Sequence, residues 1–227
     1  MSAIEEIKTK FHHEFKLAST HRFTQELCDG TLPDRILYTY LKQDLKFFLV
    51  VMRFISRTMS VCDDDDALIT LGKQVGFFCN DENNYFRDTL AELEENNNDL
   101  PEAMRKEPAD ELPRVTAYLK HFEEWTGPNA DYVTNITALY MAELSYLMWA
   151  ENQGGSEEKV SKLKPKHKGW IDLHRGDGFS KWVDFLGAEV ERLIKKDPKN
   201  KETVHKIVKL ALGFEYEFFE ECYTYAG

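Results

Sequence analysis

Residues 34–61 have the sequence DRILYTYLKQDLKFFLVVMRFISRTMSV, and this stretch decides the fold class. No glycine or proline interrupts it, and proline is absent from residue 34 through residue 100. Large apolar side chains recur along it at the three- and four-residue spacing that keeps them on one face of an α-helix. They are Ile36, Tyr40, Phe47, Phe48, Val51 and Ile55. The stretch therefore predicts one long amphipathic helix.

The same helical period extends over most of the remaining chain. It predicts further helices at about residues 3–18, 19–28, 65–95, 113–126, from just after Pro128 to 152, 175–196 and 199–224. No segment alternates polar and apolar residues for long enough to build a sheet. Two polar segments, residues 94–112 and residues 152–168, are predicted to be a loop and a surface connection. We expect an all-α helical bundle that forms a single domain over residues 1–227.

The charge balance argues against two classes of partner. The chain has 29 Lys and Arg residues against 40 Asp and Glu residues, which gives a formal net charge of −11. An acidic protein without a stripe of basic residues is poorly suited to bind nucleic acid or an anionic membrane. No apolar run approaches the roughly 18 residues of a membrane-spanning helix. Because the cysteines form no Cys-x-x-Cys pair, we expect free thiols and a cytoplasmic protein.

Three long helices each carry a carboxylate in the middle of an apolar face. Asp44 interrupts the stripe quoted above, Glu143 interrupts the stripe after Pro128, and Glu215 interrupts the stripe of the last helix. Any one of them could be a lone carboxylate bonded to a tyrosine or a backbone group. Three together are harder to attribute to chance, because an unpaired carboxylate is costly to bury. Aromatic residues lie within a turn of these positions, namely Tyr40, Phe47, Tyr146, Phe214 and Phe218. We predict an aromatic-walled pocket that contains several carboxylates.

Such a pocket suits a planar, nitrogen-rich ligand that is neutral or cationic. A carboxylate can accept a hydrogen bond from an exocyclic amine and can favour protonation of a ring nitrogen, while an aromatic side chain stacks on the ring. Crowded carboxylates also raise one another's pKa toward the range that suits general acid–base catalysis. The pattern points to hydrolysis or proton transfer on a heterocycle.

A metal site is the alternative chemistry for carboxylates inside a bundle. Di-iron proteins combine glutamates with histidines on neighbouring helices. Here the histidines are scattered, and only His174 lies near the relevant part of the chain. A haem bound through His21 has less support still, because one histidine followed by an aromatic residue is unspecific. We predict no metal and no cofactor, and we assign no catalytic role to His174.

Short motifs along nearly the whole chain resemble the TenA family of thiamine-salvage proteins. They are His21-Arg22-Phe23, Asp29-Gly30-Thr31-Leu32, Gln43-Asp44 with Phe47, Asn80-Asp81-Glu82 with Tyr85-Phe86, Pro113 with Ala117-Tyr118, Asp177-Gly178-Phe179, and Phe214-Glu215-Tyr216-Glu217-Phe218-Phe219. The order and spacing of the motifs carry the resemblance, since no single motif is specific. It implies the haem-oxygenase-like all-α fold and a homo-oligomer.

One position departs from the larger class of that family. Where that class carries a nucleophilic cysteine, this chain has Ala142, followed by Glu143. The pattern Glu143-x-x-Tyr146 resembles the TenA_E class, in which a glutamate replaces the cysteine. The resemblance implies a C–N hydrolase that converts aminomethyl-pyrimidine to hydroxymethyl-pyrimidine, and the N-formyl precursor to the amine. Thiamine cleavage uses a cysteine thiolate, so it is not expected here.

The resemblance also implies roles for individual residues. The catalytic residues would be Glu143, Glu215 and Asp44: Asp44 would hold the exocyclic amine and the adjacent ring nitrogen, while Glu143 and Glu215 would share the proton transfers. Substrate-binding residues would be Asp44, Phe47, Tyr118, Tyr146, Phe214 and Phe218. Which glutamate is the acid and which the base stays open. Two alternatives also stay open, namely a non-catalytic pyrimidine-binding or regulatory relative and a metal-dependent oxidase on the same fold.

Overall fold

The computed structural model describes residues 2–96, 100 and 112–225. Within these ranges the chain forms α1 (Ala3–Lys10), α2 (His12–Ser19), α3 (Arg22–Asp29), α4 (Asp34–Ser60), α5 (Asp65–Phe77), a π-helical turn (Phe78–Glu82), α6 (Asn83–Asn96), α7 (Pro113–Trp125), α8 (Tyr132–Gly154), α9 (Glu157–Ser161), α10 (Pro165–Leu173), α11 (Gly176–Lys196) and α12 (Asn200–Thr224). These residues contain no β-strand, which confirms the predicted all-α fold.

Local sequence explains where several helices begin and end. The side chain of Ser2 accepts a hydrogen bond from the backbone of Glu5 in a capping box, and Asp64 and Asp131 cap α5 and α8 in a similar way. Gly30 ends α3 in the left-handed conformation, with φ of 71°. A residue with a Cβ atom adopts that conformation only at a cost, so glycine suits this position.

The three helices with interrupted apolar faces pack together at the centre of the bundle. Helix α8 packs against α11 and α12, and α12 also packs against α4 and α7. Large side chains that are wholly or almost wholly buried, such as Tyr40, Trp149 and Phe219, fill the contacts between them. This arrangement turns the apolar faces of α4, α8 and α12 toward one another. In the described ranges, no helix is both long and apolar enough to cross a membrane.

Two predicted helices are interrupted in the structure. The helix predicted at 3–18 is two helices, with a break at Phe11, which is buried at the junction. The helix predicted at 65–95 contains the π-helical turn, in which hydrogen bonds span five residues and widen the helix locally. The hydrophobic period predicts neither feature, because apolar residues at helical spacing lie on both sides of each.

The prediction of a surface connection at residues 152–168 is confirmed in part, because most of these residues are exposed but the segment is not a simple loop. This segment contains α9 and the beginning of α10, and Lys166 and His167 are buried. An ion pair of 2.6 Å between Nζ of Lys166 and Oδ1 of Asp34 compensates the buried charge. Most of the loop predicted at 94–112 lies outside the described residues. All four cysteines are free thiols, as predicted.

Candidate active site

A cavity lies where α4, α8, α10 and α12 meet the π-helical turn. It offers about 60 Å³ to the centres of water-sized molecules, which is room for a small ligand. Its walls combine carboxylates with aromatic rings. The lining residues are Asp44, Phe47, Phe48, Val51, Phe78, Glu82, Ala142, Glu143, Tyr146, Trp170, His174 and Glu215.

All three predicted carboxylates line this cavity. Asp44 comes from α4, Glu143 from α8 and Glu215 from α12, so three separate helices bring them together. Neither lysine nor arginine is among the described residues that line the cavity. The carboxylates therefore face one another without a permanent positive charge between them, and each is easier to protonate than in water.

Asp44 belongs to a short network of polar side chains. Only 6% of its surface is exposed, and burial raises its pKa well above the usual range, as do the nearby carboxylates of Glu215 and Glu143. A hydrogen bond with Tyr40, one turn earlier on α4, partly offsets this rise. The hydroxyl of Tyr40 lies 2.6 Å from that of Tyr146. Two tyrosines thus fix the position of the Asp44 carboxyl.

Glu215 has its own tyrosine partner. The hydroxyl of Tyr118, on α7, donates a hydrogen bond of 2.7 Å to Oε1 of Glu215. Burial raises the pKa of Glu215 to about 7, although the hydrogen bond from Tyr118 acts in the opposite direction. Near neutral pH this carboxyl is therefore divided between its charged and neutral forms, as suits a general base.

Glu143 has the higher pKa of the two predicted proton-transfer residues. Burial, together with the charge of Glu215, raises its pKa to about 8. The indole nitrogen of Trp182 makes no hydrogen bond of ordinary geometry, yet it is near enough to Glu143 to lower this pKa. Although Glu143 lies deep in the bundle, part of its surface remains accessible because its side chain faces the cavity. At neutral pH it mostly keeps its proton.

Glu82 is a fourth carboxylate in the cavity, and the sequence analysis gave it no role. It ends the π-helical turn, is 9% exposed, and has a raised pKa because of burial and the charges of Glu143 and Asp44. The signal that singled out the other three was present, since Glu82 interrupts an apolar stripe that includes Phe78 and Phe86. The same test on the 65–95 segment would have found it.

Trp170 and His174 also line the cavity, and the sequence analysis assigned a role to neither. They lie on and just after α10, with ring centroids 4.4 Å apart. Nδ1 of His174 lies 2.8 Å from the carbonyl oxygen of Trp170, so this nitrogen carries the proton. Burial lowers the pKa of His174 to about 4. The imidazole is therefore neutral at pH 7 and offers Nε2 as a hydrogen-bond acceptor.

The predicted aromatic residues divide into two groups. Phe47 and Tyr146 line the cavity. Tyr118 reaches it through Glu215, and Phe214 stacks on the Tyr118 ring with centroids 4.8 Å apart. Phe218 is buried against Tyr40, with centroids 5.4 Å apart. The lining residues do not include Phe214, Phe218 or Tyr118. In this structure these three pack behind the residues that line the cavity.

Ala142 lies in the cavity wall beside Glu143. The position that resembles the cysteine site of the larger class therefore does face the cavity, but it carries only a methyl group. No cysteine is among the described residues that line the cavity, and Cys222 is fully buried. The described residues also contain no group of three or more His, Cys, Asp or Glu side chains arranged to hold a metal ion.

Comparison with solved structures shows the fold. The structure of a TenA homologue from Pyrococcus furiosus matches with a TM-score of 0.79 at 18% identity, covering 97% of this chain and 100% of that chain. A TenA family transcription regulator from Silicibacter sp. TM1040 matches with a TM-score of 0.77 at 15% identity, covering 98% and 97%. A putative TenA-like thiaminase from Sulfolobus solfataricus matches with a TM-score of 0.72 at 15% identity, covering 98% and 96%.

Sequence comparison supplies the family. No curated protein sequence matches the chain. The family model of the TENA/THI-4/PQQC family, by contrast, matches residues 5–225, which include the cavity and every helix that lines it. The resemblance noted in the sequence is thereby confirmed, and this chain belongs to the TENA/THI-4/PQQC family.

Proposed function

We propose that this chain is a hydrolase of thiamine salvage that acts on aminopyrimidines. It hydrolyses aminomethyl-pyrimidine to hydroxymethyl-pyrimidine and ammonia, and it also hydrolyses the N-formyl derivative to aminomethyl-pyrimidine and formate. The observation that carries this proposal is that Glu143 and Glu215 line one cavity, with pKa values raised to about 8 and about 7. Two carboxyls with separated pKa values near neutrality suit an acid and a base.

The binding part of the proposal rests on Asp44 and the aromatic walls. The Asp44 carboxyl, held by Tyr40, is positioned to pair with an exocyclic amine and the adjacent ring nitrogen of a pyrimidine. Phe47, Tyr146 and Trp170 offer ring faces and edges to a flat heterocycle. The small volume of the cavity suits a single ring with short substituents.

The chemical part follows from the order of the two pKa values. Glu215, with the lower pKa, is the base that takes a proton from water, and Glu143 is the acid that protonates the departing nitrogen. The oxygen of water forms a bond to the methylene carbon, the carbon–nitrogen bond breaks, and its electron pair stays on nitrogen. The proton taken by Glu215 then returns to solvent or to ammonia, while Glu143 is reprotonated.

Thiamine cleavage is not part of the proposal. In that reaction a nucleophile of the enzyme forms a covalent bond to the pyrimidine portion when the other half of thiamine leaves, and a thiolate is suited to this task. Ala142 has no group that could attack. The cavity therefore favours direct attack by water on substrates with a small leaving group.

Product analysis by mass spectrometry tests this function. Wild-type protein and the Glu143→Gln variant are incubated separately with aminomethyl-pyrimidine, its N-formyl derivative and thiamine. We expect hydroxymethyl-pyrimidine from the amine and, by way of the free amine, from the N-formyl derivative, with this product lost in the variant. The control is Glu151→Gln, which makes the same change at an exposed position of α8 and should leave turnover intact. A folded wild-type protein that converts neither substrate would contradict the proposal.

A thermal-shift measurement on the same wild-type and variant proteins addresses the non-catalytic alternative. One structural neighbour is described as a transcription regulator, and a binding protein would keep Asp44 and the aromatic walls without turnover. In that case a thermal shift with hydroxymethyl-pyrimidine would appear in wild type and in Glu143→Gln alike. Metal analysis of active protein addresses the oxidase alternative, since activity in an iron-free preparation would rule it out.

Two further properties remain predictions of the sequence, namely a homo-oligomer and a cytoplasmic location. Leu49 and Ile69 are large apolar residues with 53% and 59% of their surface exposed, which is compatible with an interface between copies. Light scattering coupled to size-exclusion chromatography measures the oligomeric state directly.

A further inference from the structure

Glu82 is the one predominantly buried carboxylate of the cavity for which no partner is found among the described residues. Asp44 has Tyr40, Glu215 has Tyr118, and Glu143 has the Trp182 indole nearby. Glu82 lines the same cavity with 9% of its surface exposed, but within the described ranges it makes no hydrogen bond and no ion pair. A carboxylate without partners is expensive to bury, so this one requires a function.

The π-helical turn sets the direction of this side chain. Phe78 and Glu82, at the two ends of the turn, both line the cavity. Asp81, the residue before Glu82, is exposed instead and lines a separate surface depression together with Phe77. One turn thus presents one acidic residue to the cavity and the adjacent one to solvent.

The cavity lacks the positive charge that Glu82 would need. Its only lining residue able to become cationic, among those described, is His174, and burial lowers the pKa of that imidazole to about 4. The charges that raise the pKa of Glu82 are those of Glu143 and Asp44, and both are acidic. A cationic ligand would therefore complete the site, because it would compensate Glu82 and reduce the repulsion among the four carboxylates.

We propose that Glu82 binds the nitrogen next to the scissile bond in its ammonium form, and so selects a primary amine over neutral groups of the same size. This inference rests on the proposed function, because it assigns Glu82 to the leaving group of that reaction. The ligand class is a planar heterocycle that bears an aminomethyl substituent. Asp44 holds the ring, and Glu82 holds the charged end.

The chemistry of the step is consistent with this assignment. The carbon–nitrogen bond breaks with its electron pair on nitrogen, so the nitrogen must carry a positive charge beforehand to leave as neutral ammonia. An amine that binds as a cation already carries that proton, and Glu143, which mostly keeps its own proton at neutral pH, restores the proton if the nitrogen loses it. Glu82 then stabilises the ammonium group that results, while water donates the hydroxyl group and passes its proton to Glu215.

The test compares two ligands of similar shape and different charge. Aminomethyl-pyrimidine is a cation at neutral pH, and hydroxymethyl-pyrimidine is its neutral counterpart. Binding is measured by calorimetry and by intrinsic tryptophan fluorescence in the Glu143→Gln background, so that the amine is not consumed during the titration. The variants Glu82→Gln and Asp81→Asn are each added to this background. Asp81→Asn is the matched control because it removes one negative charge from the same turn on its exposed side.

We expect Glu82→Gln to weaken binding of the amine by about tenfold or more, because a charge-assisted hydrogen bond is lost. Binding of the alcohol should change by less than about twofold, since no charge is involved. Asp81→Asn should leave both affinities unchanged, and Glu82→Asp should recover part of the preference for the amine. Unchanged amine binding in Glu82→Gln, or an equal loss for both ligands, would overturn the inference.

The outcomes also separate this inference from the proposed function. If the wild-type protein prefers the amine through Glu82 but releases no ammonia, the hydrolase proposal fails and the ammonium site stands. If the wild-type protein hydrolyses the amine and Glu82→Gln does so with the same KM and kcat, the inference fails and the hydrolase stands. If neither pyrimidine binds to the wild-type protein, both proposals fail.

Discussion

The phenol of Tyr118 donates a hydrogen bond of 2.7 Å to the Glu215 carboxylate across the contact between α7 and α12. Both side chains are almost fully buried, with 1% and 2% of their surfaces exposed. Because a hydrogen bond from a neutral donor stabilises the charged carboxylate, it keeps the pKa of Glu215 below the value that burial alone would give. Tyr118 thus acts on the cavity through the base.

Replacing Tyr118 by Phe should raise the pKa of Glu215. We expect the acidic limb of the kcat/KM profile to move to higher pH, and activity at neutral pH to fall by about tenfold, since a buried hydrogen bond contributes about 1–2 kcal/mol. A pH series of initial rates measures this. Tyr132→Phe is the control, because Tyr132 donates a similar bond of 2.8 Å to Glu189 outside the cavity. Equal changes in both variants would argue against the assignment.

The pH dependence of the wild-type reaction is a second prediction. The base must be ionised, so kcat/KM should rise as pH passes the Glu215 pKa of about 7. The acid must be protonated, so kcat/KM should fall as pH passes the Glu143 pKa of about 8. The profile should therefore be bell-shaped with its maximum between these values, the two limbs belonging to the coupled pair. A flat profile across this range would contradict the acid–base pair.

Glu143 should also make folding stability depend on pH. Its pKa is raised from 4.5 to about 8 in the folded protein. Below the lower value the carboxyl is neutral in both states, so it imposes no penalty. As pH rises to the upper value the unfolded chain releases the proton first, and the folded state loses stability.

Glu143→Gln removes this dependence. We expect the variant to be close to the wild type in stability near pH ~5 and to exceed its free energy of unfolding by about 4 kcal/mol near pH ~8.5, since one pKa unit corresponds to about 1.4 kcal/mol. Urea denaturation at the two pH values measures the difference. Glu151→Gln, on the exposed side of the same helix, should show no such trend. A variant that is less stable than wild type at the higher pH would refute the prediction.

A glycine behind the cavity wall gives a structural prediction. A Cβ atom at Gly169 would lie 2.8 Å from the Tyr85 ring, which stacks on Trp170 with centroids 5.1 Å apart. Gly169→Ala should therefore displace Tyr85 and destabilise the protein by about 1–3 kcal/mol. Because Tyr85 stacks on Trp170, the intrinsic tryptophan fluorescence should change as well. Gly178→Ala is the control, because nothing lies within 4 Å of the added atom. Equal changes in melting temperature for Gly169→Ala and Gly178→Ala would contradict the packing argument.

A residue of the site can be predicted from the sequence when the pattern that marks it lies within a single helix. Asp44, Glu143 and Glu215 were identifiable because a carboxylate on an apolar helical face is visible within a single helix. Trp170 was not identifiable in this way, because it follows a run of basic residues, and such a run is typical of a solvent-exposed surface.

The structure shows why that indication failed. Lys166 is buried by its ion pair with Asp34, a residue distant in the sequence, so no local pattern could reveal it. The fold class depended on periodicity, which is local, and it was predicted correctly. The break at Phe11 and the π-helical turn depended on packing between helices, which periodicity does not register.

The π-helical turn has a consequence for how this site could change over evolution. Phe78 and Phe86 are eight residues apart, which in a regular α-helix would leave their directions roughly 80° apart. Both are buried in the structure, and the extra residue that the π-helical turn contains brings their directions closer together. Deleting one residue from the turn would restore a regular helix and force either α5 or α6 to rotate its apolar face out of the core. A change in chain length, without any substitution at Glu82, would thus withdraw one of the four acidic groups from the cavity.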